Sequence, residues 1–178
     1  MKRYQLLFAI LIFGLVGFQS EKNESISIEK ITRVKSQSIK SLEKSEEINS
    51  LKDAVAQFKG RKVYIDIWAT FCKPCVKEFE YHQELMKLLK KKNVEMVYIS
   101  LDGKEQKKLM EEIITKHNLE GKHIIANDSL RAELLLKVFS QGLSIPKYLI
   151  IDENGNLINN DAKRPSQINE LEKQFENK

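Results

Sequence analysis

The spacing of apolar residues changes several times along the chain and predicts alternating helices and strands. Helical spacing runs from Ile48 to Gly60, where a glycine can cap a helix. The run 62–68 follows and, apart from Lys62 and Asp66, is apolar at odd and even positions, as expected for a central strand covered on both faces. Helical spacing returns at Cys75 and continues to a lysine-rich end near residue 92.

The second half of the chain continues this alternation. The further predicted elements are a strand at 94–100, a helix at 109–121, a strand at 123–126, a helix at 130–139, a hairpin of 147–152 with 156–159, and a last helix capped by Ser166. Alternating elements followed by an antiparallel pair predict a mixed central sheet with helices on both faces. We therefore expect one α/β domain over residues 46–178.

The N-terminal residues carry the pattern of an export signal. Lys2 and Arg3 precede an apolar run over 6–16. No small-x-small cleavage triplet stands out, so residues 1–20 fit either a signal peptide or a retained N-terminal membrane anchor. Residues 21–45 are rich in Ser, Lys and Glu and are expected to form a polar linker or extension. The domain is thus expected outside the cytoplasm, in the periplasm or cell envelope.

Composition narrows the classes of partner. The formal net charge is +5, but lysines and glutamates are interleaved rather than gathered into a basic block. Such a distribution is typical of a solvated surface, and no nucleic-acid-binding motif is present. We expect no nucleic-acid partner, and membrane contact only through the N-terminal segment if it is not cleaved.

The chain has two cysteines, Cys72 and Cys75, placed where a predicted strand leads into a predicted helix. A bridge across two intervening residues closes a very small loop and adds little stability, which favours a reactive pair over a structural disulfide. A zinc site needs about four ligands, and His82, His117 and His123 show no paired spacing. We expect His82 at a helix boundary, the other two at the surface or a boundary, and no metal.

The segment Asp66-Ile67-Trp68-Ala69-Thr70-Phe71-Cys72-Lys73-Pro74-Cys75, with Ser144-Ile145-Pro146-Lys147-Tyr148 downstream, resembles thioredoxin-fold proteins. The N-terminal segment, an extra strand and helix at about 122–139, and Asp152-x-Asn154-Gly155 resemble the exported TlpA/ResA-type thiol–disulfide oxidoreductases more narrowly. This resemblance implies a thioredoxin-like fold with an inserted strand–helix. It also implies protein thiols and disulfides as partners, a membrane electron donor, and no cofactor.

The two cysteines are expected to have different roles. Cys72 would lie at the first turn of a helix, where backbone N–H groups and the helix dipole favour a thiolate, so it is the predicted attacking residue. Cys75, one turn inside, would resolve the mixed disulfide and leave a Cys72–Cys75 redox-active disulfide. Asp66 is a candidate base for the Cys75 proton, because burial raises the pKa of a carboxyl. It also matches the buried Asp of the thioredoxin family, whereas many exported relatives have a non-ionisable residue at this position. The alternative is an Asp66 carboxylate bonded to nearby backbone or a lysine.

Four residues are expected at the substrate-binding surface. The resemblance implies a cis peptide at Pro146 beside the dithiol, with Ile145 against the cysteines. Phe71 is the expected exposed neighbour of Cys72, with simple packing as the alternative. Trp68 is expected to pack beneath the loop rather than to act in catalysis.

Three residues are expected to tune the redox pair. Lys73 adds a cation and Pro74 fixes the turn into the helix, while Glu78 matches an acidic position of the family. A solvated Glu78 carboxylate is the alternative. Many relatives have proline where this chain has Glu80, so we expect a straighter helix.

Two other functions share parts of this pattern. A thiol peroxidase has the same fold, but its motif places Thr three residues before the reactive cysteine, whereas Thr70 lies two before Cys72. A dithiol chaperone for a dedicated client, such as in cytochrome maturation, would use the pair to hold that client. The leading hypothesis is an extracytoplasmic thiol–disulfide oxidoreductase that acts as a reductant, and the alternative direction is that of an oxidant.

Overall fold

The computed structural model describes residues 45–176, together with residues 29, 32, 36 and 42. The export signal or anchor predicted over 1–20, and most of the linker predicted over 21–45, lie outside the described residues.

Two residues near the end of the predicted linker are buried. Leu42 joins the core cluster that contains both cysteines. The Ser45 hydroxyl accepts a hydrogen bond from the Ile125 backbone N–H at 3.0 Å. These contacts attach the end of this stretch to the sheet.

The described elements follow the predicted order. Their bounds are α1 (Leu51–Val55), β1 (Lys62–Trp68), α2 (Lys73–Glu78), α3 (His82–Lys91), β2 (Val94–Ser100), α4 (Lys107–Lys116), β3 (Lys122–Ile125), α5 (Asp128–Lys137), β4 (Lys147–Ile151), β5 (Leu157–Asn159) and α6 (Ile168–Glu176). Short 3-10 turns occupy Ser45–Glu47, Ala56–Phe58, Phe79–Tyr81, Lys104–Gln106 and Pro165–Gln167. Among the helices described here, none has the length and apolar character needed to cross a membrane.

Within residues 45–176 the strands form one five-stranded sheet in the order β3-β2-β1-β4-β5. Strand β1 pairs in parallel with β2, and β2 pairs in parallel with β3. Strand β4 runs antiparallel to both β1 and β5. The mixed sheet is therefore confirmed, and β1 lies at its centre.

Alternation along each strand divides the buried side chains between two faces of the sheet. We call one the polar face: it carries Tyr64, Asp66, Trp68, Tyr98, Ser100, His123 and Tyr148. We call the other the aliphatic face: it carries Val63, Ile65, Ile67, Val97, Ile99, Ile124, Leu149 and Ile151. Buried residues of α3, α4 and α6 pack with the polar face, and those of α1 and α5 pack with the aliphatic face. Helices on both faces are thus confirmed.

The long helix predicted after Cys75 is interrupted. Helix α2 ends at Glu78, a 3-10 turn spans Phe79–Tyr81, and α3 begins at His82. The expectation of a straighter helix is therefore wrong, because the interruption forms without a proline at position 80. The tighter turn accompanies packing of the buried Phe79 ring edge-on against Trp68, with ring centroids 5.1 Å apart.

Two smaller predictions are also wrong. Ser166 does not cap the last helix: it lies inside the 3-10 turn that follows Arg164, and it donates to Glu78 instead. His123 is fully buried rather than at the surface, because its ring stacks on Tyr98 with centroids 4.6 Å apart.

Candidate active site: the cysteine pair at the end of strand β1

The loop after β1 delivers Cys72 to the beginning of α2. The backbone N–H of Cys72 donates to the carbonyl of Ala69 at 3.0 Å, which closes a turn. Cys72 is the N-cap residue of α2, and its Sγ accepts the backbone N–H of Cys75 at 3.2 Å. Pro74 occupies the first turn, where its missing N–H leaves no helical hydrogen bond unmade.

Cys72 and Cys75 are joined by a disulfide, with Cα atoms 5.3 Å apart. Cys72 retains 7% exposure, whereas Cys75 is fully buried. Solvent therefore reaches the pair from the Cys72 side. The arrangement can alternate between a dithiol and a disulfide, which is a two-electron change.

Asp66 is buried in the middle of the sheet beneath this loop. It is 1% exposed and pairs in register with Tyr98 of β2 and Tyr148 of β4. Its Oδ1 atom is buried and has no hydrogen-bond partner. Burial, followed by the nearby Glu78 charge, raises the pKa of Asp66 well above its ordinary value. This oxygen is thus bonded neither to backbone nor to a lysine.

Glu78 is buried on α2, one turn beyond Cys75. Its carboxylate accepts hydrogen bonds from the Ser166 backbone N–H at 2.9 Å and from the Ser166 hydroxyl at 3.0 Å. The Arg164 guanidinium lies 3.7 Å from the same carboxylate. The alternative of a solvated Glu78 does not hold, because the C-terminal segment covers it.

The expected substrate-side residues fall into two groups. Phe71 is 75% exposed directly beside Cys72, and the Ile145–Pro146 peptide is cis. Ile145 packs, partly exposed, against the core cluster that includes both cysteines. Trp68 is 1% exposed and packs against Phe79, so its indole supports the loop from below.

Sequence reasoning did not identify Asp102, which is buried and bonded to the active-site loop. Its carboxylate accepts the Thr70 backbone N–H at 2.8 Å and the Thr70 hydroxyl at 2.7 Å. A usable signal was present, because Asp102 follows β2 directly and the carboxyl ends of neighbouring parallel strands meet at one edge. No group of His, Cys, Asp or Glu side chains in the described residues is arranged to hold a metal ion.

A mixed sheet whose central strand leads into an N-cap cysteine, with its disulfide partner on the next helical turn, defines a thiol–disulfide oxidoreductase of the thioredoxin fold. The chain belongs to the Redoxin family, whose model matches residues 34–175.

Named relatives agree with this assignment. The chain is 30% identical over 173 residues to the thiol-disulfide oxidoreductase ResA of Bacillus cereus, covering 89% of this chain and 88% of that protein. The ResA protein of Bacillus thuringiensis gives the same identity and coverage. A solution structure from Bacteroides vulgatus, of a protein assigned as a thiol–disulfide oxidoreductase, matches with a TM-score of 0.56 at 31% identity, over 68% of this chain and 76% of that chain.

Proposed function

We propose that this protein exchanges disulfides with protein partners outside the cytoplasm, with Cys72 attacking, Cys75 resolving and Asp66 assisting proton transfer. The observation that carries this proposal is the unequal environment of the two sulfurs. Cys72 is the N-cap of α2 and keeps some exposure, whereas Cys75 is sealed inside. Only the first can meet a partner.

The reaction begins from the reduced pair. The Cys72 thiolate attacks one sulfur of a partner disulfide, forms a mixed disulfide and releases the other partner sulfur as a thiolate, which takes up a proton from water. The N–H of Cys75, which points at Cys72 Sγ, stabilises negative charge on that sulfur.

The second step releases the partner. Cys75 gives its proton to the Asp66 carboxylate, attacks Sγ of Cys72 and expels the second partner sulfur, which takes up a proton in turn. Asp66 suits this task because its raised pKa makes it a stronger base than an ordinary carboxylate. The protein is left as the Cys72–Cys75 disulfide and regains its dithiol from two electrons and two protons of a donor.

The remaining site residues take supporting roles. Phe71 and the backbone at Ile145 and Pro146 form the surface that receives an extended partner segment, and Trp68 holds the loop beneath it. Lys73 and Pro74, in the first turn of α2, tune the redox pair.

Glu78 is a further tuning residue in this proposal. Its buried charge is the second cause of the raised pKa of Asp66, after burial itself. Glu78 therefore acts on the pair through the acid that receives the Cys75 proton.

The location and the electron donor are part of the same proposal. The apolar N-terminal run preceded by Lys2 and Arg3 supports export to the periplasm or cell envelope, with or without a retained anchor. A donor in the membrane would then return electrons to the disulfide, because the cytosolic reducing pools are on the other side.

The test is a pair of cysteine variants assayed on insulin disulfides. Cys72→Ser is expected to abolish reduction. Cys75→Ser is expected to accumulate a mixed disulfide with the partner, which non-reducing electrophoresis detects. Unchanged insulin reduction by Cys72→Ser would overturn the proposal.

A peroxide assay on the same samples separates the thiol peroxidase alternative. The Thr70 hydroxyl donates to Asp102, so it is not available to donate to Cys72 Sγ. We expect slow consumption of hydrogen peroxide by the reduced protein. Rapid consumption would favour the peroxidase instead.

A further inference from the structure

We propose that Asp102 is a positioning residue for the dithiol: it holds Thr70, and through Thr70 it holds the loop that places Cys72 at the beginning of α2. This inference deepens the proposed function and rests on it. Asp102 lies just beyond the end of β2, whereas the cysteines follow β1, so the contact joins two neighbouring parallel strands at one edge of the sheet.

Both oxygens of the Asp102 carboxylate accept hydrogen bonds. The donors belong to Thr70 of the active-site loop and to Ser100 at the end of β2. Oδ2 accepts the Thr70 backbone N–H at 2.8 Å and the Ser100 hydroxyl at 2.6 Å. Oδ1 accepts the Thr70 hydroxyl at 2.7 Å. A buried carboxylate that accepts several short hydrogen bonds fixes the groups that donate them.

Asp102 is itself held in place through the backbone. The Arg131 guanidinium, on α5, donates to the carbonyls of Leu101 and Asp102 at 2.7 and 2.6 Å. The Arg131 Nε donates to the carbonyl of Ala126 at 3.0 Å. The helix of the inserted strand–helix segment therefore braces the residue that holds the active-site loop.

The need for such a brace follows from the chemistry of the pair. In the oxidised protein the disulfide ties Cys72 to Cys75, but this tie is absent in the reduced form that attacks a partner. Cys72 must then be kept at its N-cap position by the loop, so that the Cys75 N–H still faces its sulfur. Thr70 lies two residues before Cys72, and its two bonds to Asp102 fix the loop from outside.

Loss of the Asp102 charge and loss of the Cys72 position have different effects on the rate at which the Cys72 thiolate attacks. A carboxylate near a thiol disfavours the thiolate, so removal of the Asp102 charge by itself would speed attack or leave it unchanged. Removal of the anchor would slow attack, because Cys72 would spend less time at the helix N-terminus. The sign of the change therefore distinguishes positioning from a plain charge effect.

The experiment follows alkylation of Cys72 by iodoacetamide at pH 7 in the Cys75→Ser background, where a single thiol reacts. Asp102→Ala is expected to slow alkylation by about tenfold, the equivalent of one lost hydrogen bond to a charged group. Thr70→Val is expected to slow it by a smaller factor, because the Thr70 N–H bond remains. Thr70→Ser and Asp102→Asn keep a hydroxyl and an acceptor oxygen respectively, and both are expected to react at nearly the parent rate.

The control for general destabilisation is Asp152→Ala. That carboxylate also accepts backbone N–H groups, from Asn154 and Asn156, but it lies in the β4–β5 hairpin turn. It is expected to lose stability without any change in alkylation. Parent-like alkylation in both Asp102→Ala and Thr70→Val would overturn the positioning role, and Thr70→Val serves as the decisive variant if Asp102→Ala does not fold.

Insulin reduction by the wild-type protein, which keeps both cysteines, is measured in parallel. This measurement separates the proposed function from the positioning role of Asp102. A wild-type protein that fails to reduce insulin contradicts the proposed function. The alkylation order among the variants then still decides whether Asp102 positions Cys72.

Discussion

The polar and aliphatic faces of the sheet are supplied by the same strands but differ completely in chemistry. Along β1, Val63, Ile65 and Ile67 alternate with Tyr64, Asp66 and Trp68, and every one of these side chains is buried. Among the described residues, the buried side chains of the aliphatic face include no titratable group, whereas those of the polar face include an acid, a histidine and three tyrosines. One strand therefore provides a stable core on one side and the surroundings of the cysteine pair on the other.

Most of the polar groups on and above the polar face have hydrogen-bond partners. The His82 ring, above this face, contacts the Tyr98 hydroxyl at 2.9 Å and accepts the Glu120 backbone N–H at 2.9 Å. The Tyr64 hydroxyl donates to the carbonyl of Lys163 at 2.7 Å. Asp66 Oδ1 and the Tyr148 hydroxyl differ, because neither has a hydrogen-bond partner. The two unpartnered groups are neighbours in the sheet, since Tyr148 pairs in register with Asp66, the acid that we propose for proton transfer.

The largest expected effect comes from breaking the aliphatic face. Ile65→Ala should lower the free energy of unfolding by about 3 kcal/mol, because it opens a cavity at a fully buried position. Disulfide exchange at a temperature where the variant remains folded should change little. Chemical denaturation and the insulin assay measure the two quantities, and a large loss of exchange in a folded sample would contradict the separation of the two faces.

Asp66→Asn should raise the free energy of unfolding, whereas Ile65→Ala lowers it. In the native state the acid is protonated over a pH window where the unfolded chain has lost the proton, because its folded-state pKa is raised above 3.8. Stability should therefore fall by about 1.4 kcal/mol per pH unit as the pH rises from the ordinary value to the folded-state pKa. Asp66→Asn should remove this slope and increase stability at neutral pH.

The same Asp66→Asn variant should exchange disulfides more slowly. Oxidised wild-type and variant proteins, denatured across a pH series, give the stability comparison. A variant that is less stable than the parent at neutral pH would contradict the assignment of Asp66 as a costly buried acid.

His123→Phe tests the polar face at acid pH. Burial lowers the pKa of His123 to about 4, and that of His82 likewise to about 4, so each ring is neutral in the fold. Their contribution is present above the ordinary pKa of 6.5 and is lost as the pH falls towards 4. His123→Phe keeps the stacking on Tyr98. At one pH unit below 6.5, the variant should lack about 1.4 kcal/mol of the acid-induced fall in the free energy of unfolding.

This variant should also lose about 1 kcal/mol at neutral pH, since His123 Nε2 contacts the carbonyl of Leu119. Urea denaturation between pH 4 and 7 gives both quantities. An unchanged acid slope would show that His123 does not remain neutral in the fold.

The smallest effect on stability is expected at Phe71. Its ring is largely exposed, so Phe71→Ala should change the free energy of unfolding by less than about 0.5 kcal/mol. The variant should nevertheless lower kcat/KM for protein disulfides and leave the reaction with a small disulfide nearly unchanged. Equal losses with both substrates would place Phe71 in the structure of the loop rather than in partner contact.

The parts of this molecule that local pattern determines could be predicted. Strand β1 is apolar on both parities because both of its faces are covered, and the cysteine spacing fits one turn of helix. The burial of Asp66 followed from its place inside that strand. These features depend on neighbours within a few residues.

The parts that could not be predicted depend on distant chain segments. Ser166 was expected to cap its own helix, but Glu78, reached only in the folded state, receives both of its donors. His123 is buried because Tyr98 on the adjacent strand stacks against it. Asp102 joins the site only because β1 and β2 end side by side. Polar residues can be assigned from spacing only when their partners are close in sequence.

The contact between Glu78 and Ser166 joins residues 88 positions apart. Ribosomes make the chain from its N-terminus, so both cysteines and Glu78 leave the ribosome long before Ser166 is added. Until then the Glu78 carboxylate lacks both donors. A chain truncated before Arg164 would keep its cysteine pair but lack the Arg164 and Ser166 groups around Glu78, so the cysteine pair and its electrostatic surroundings depend on different parts of the chain.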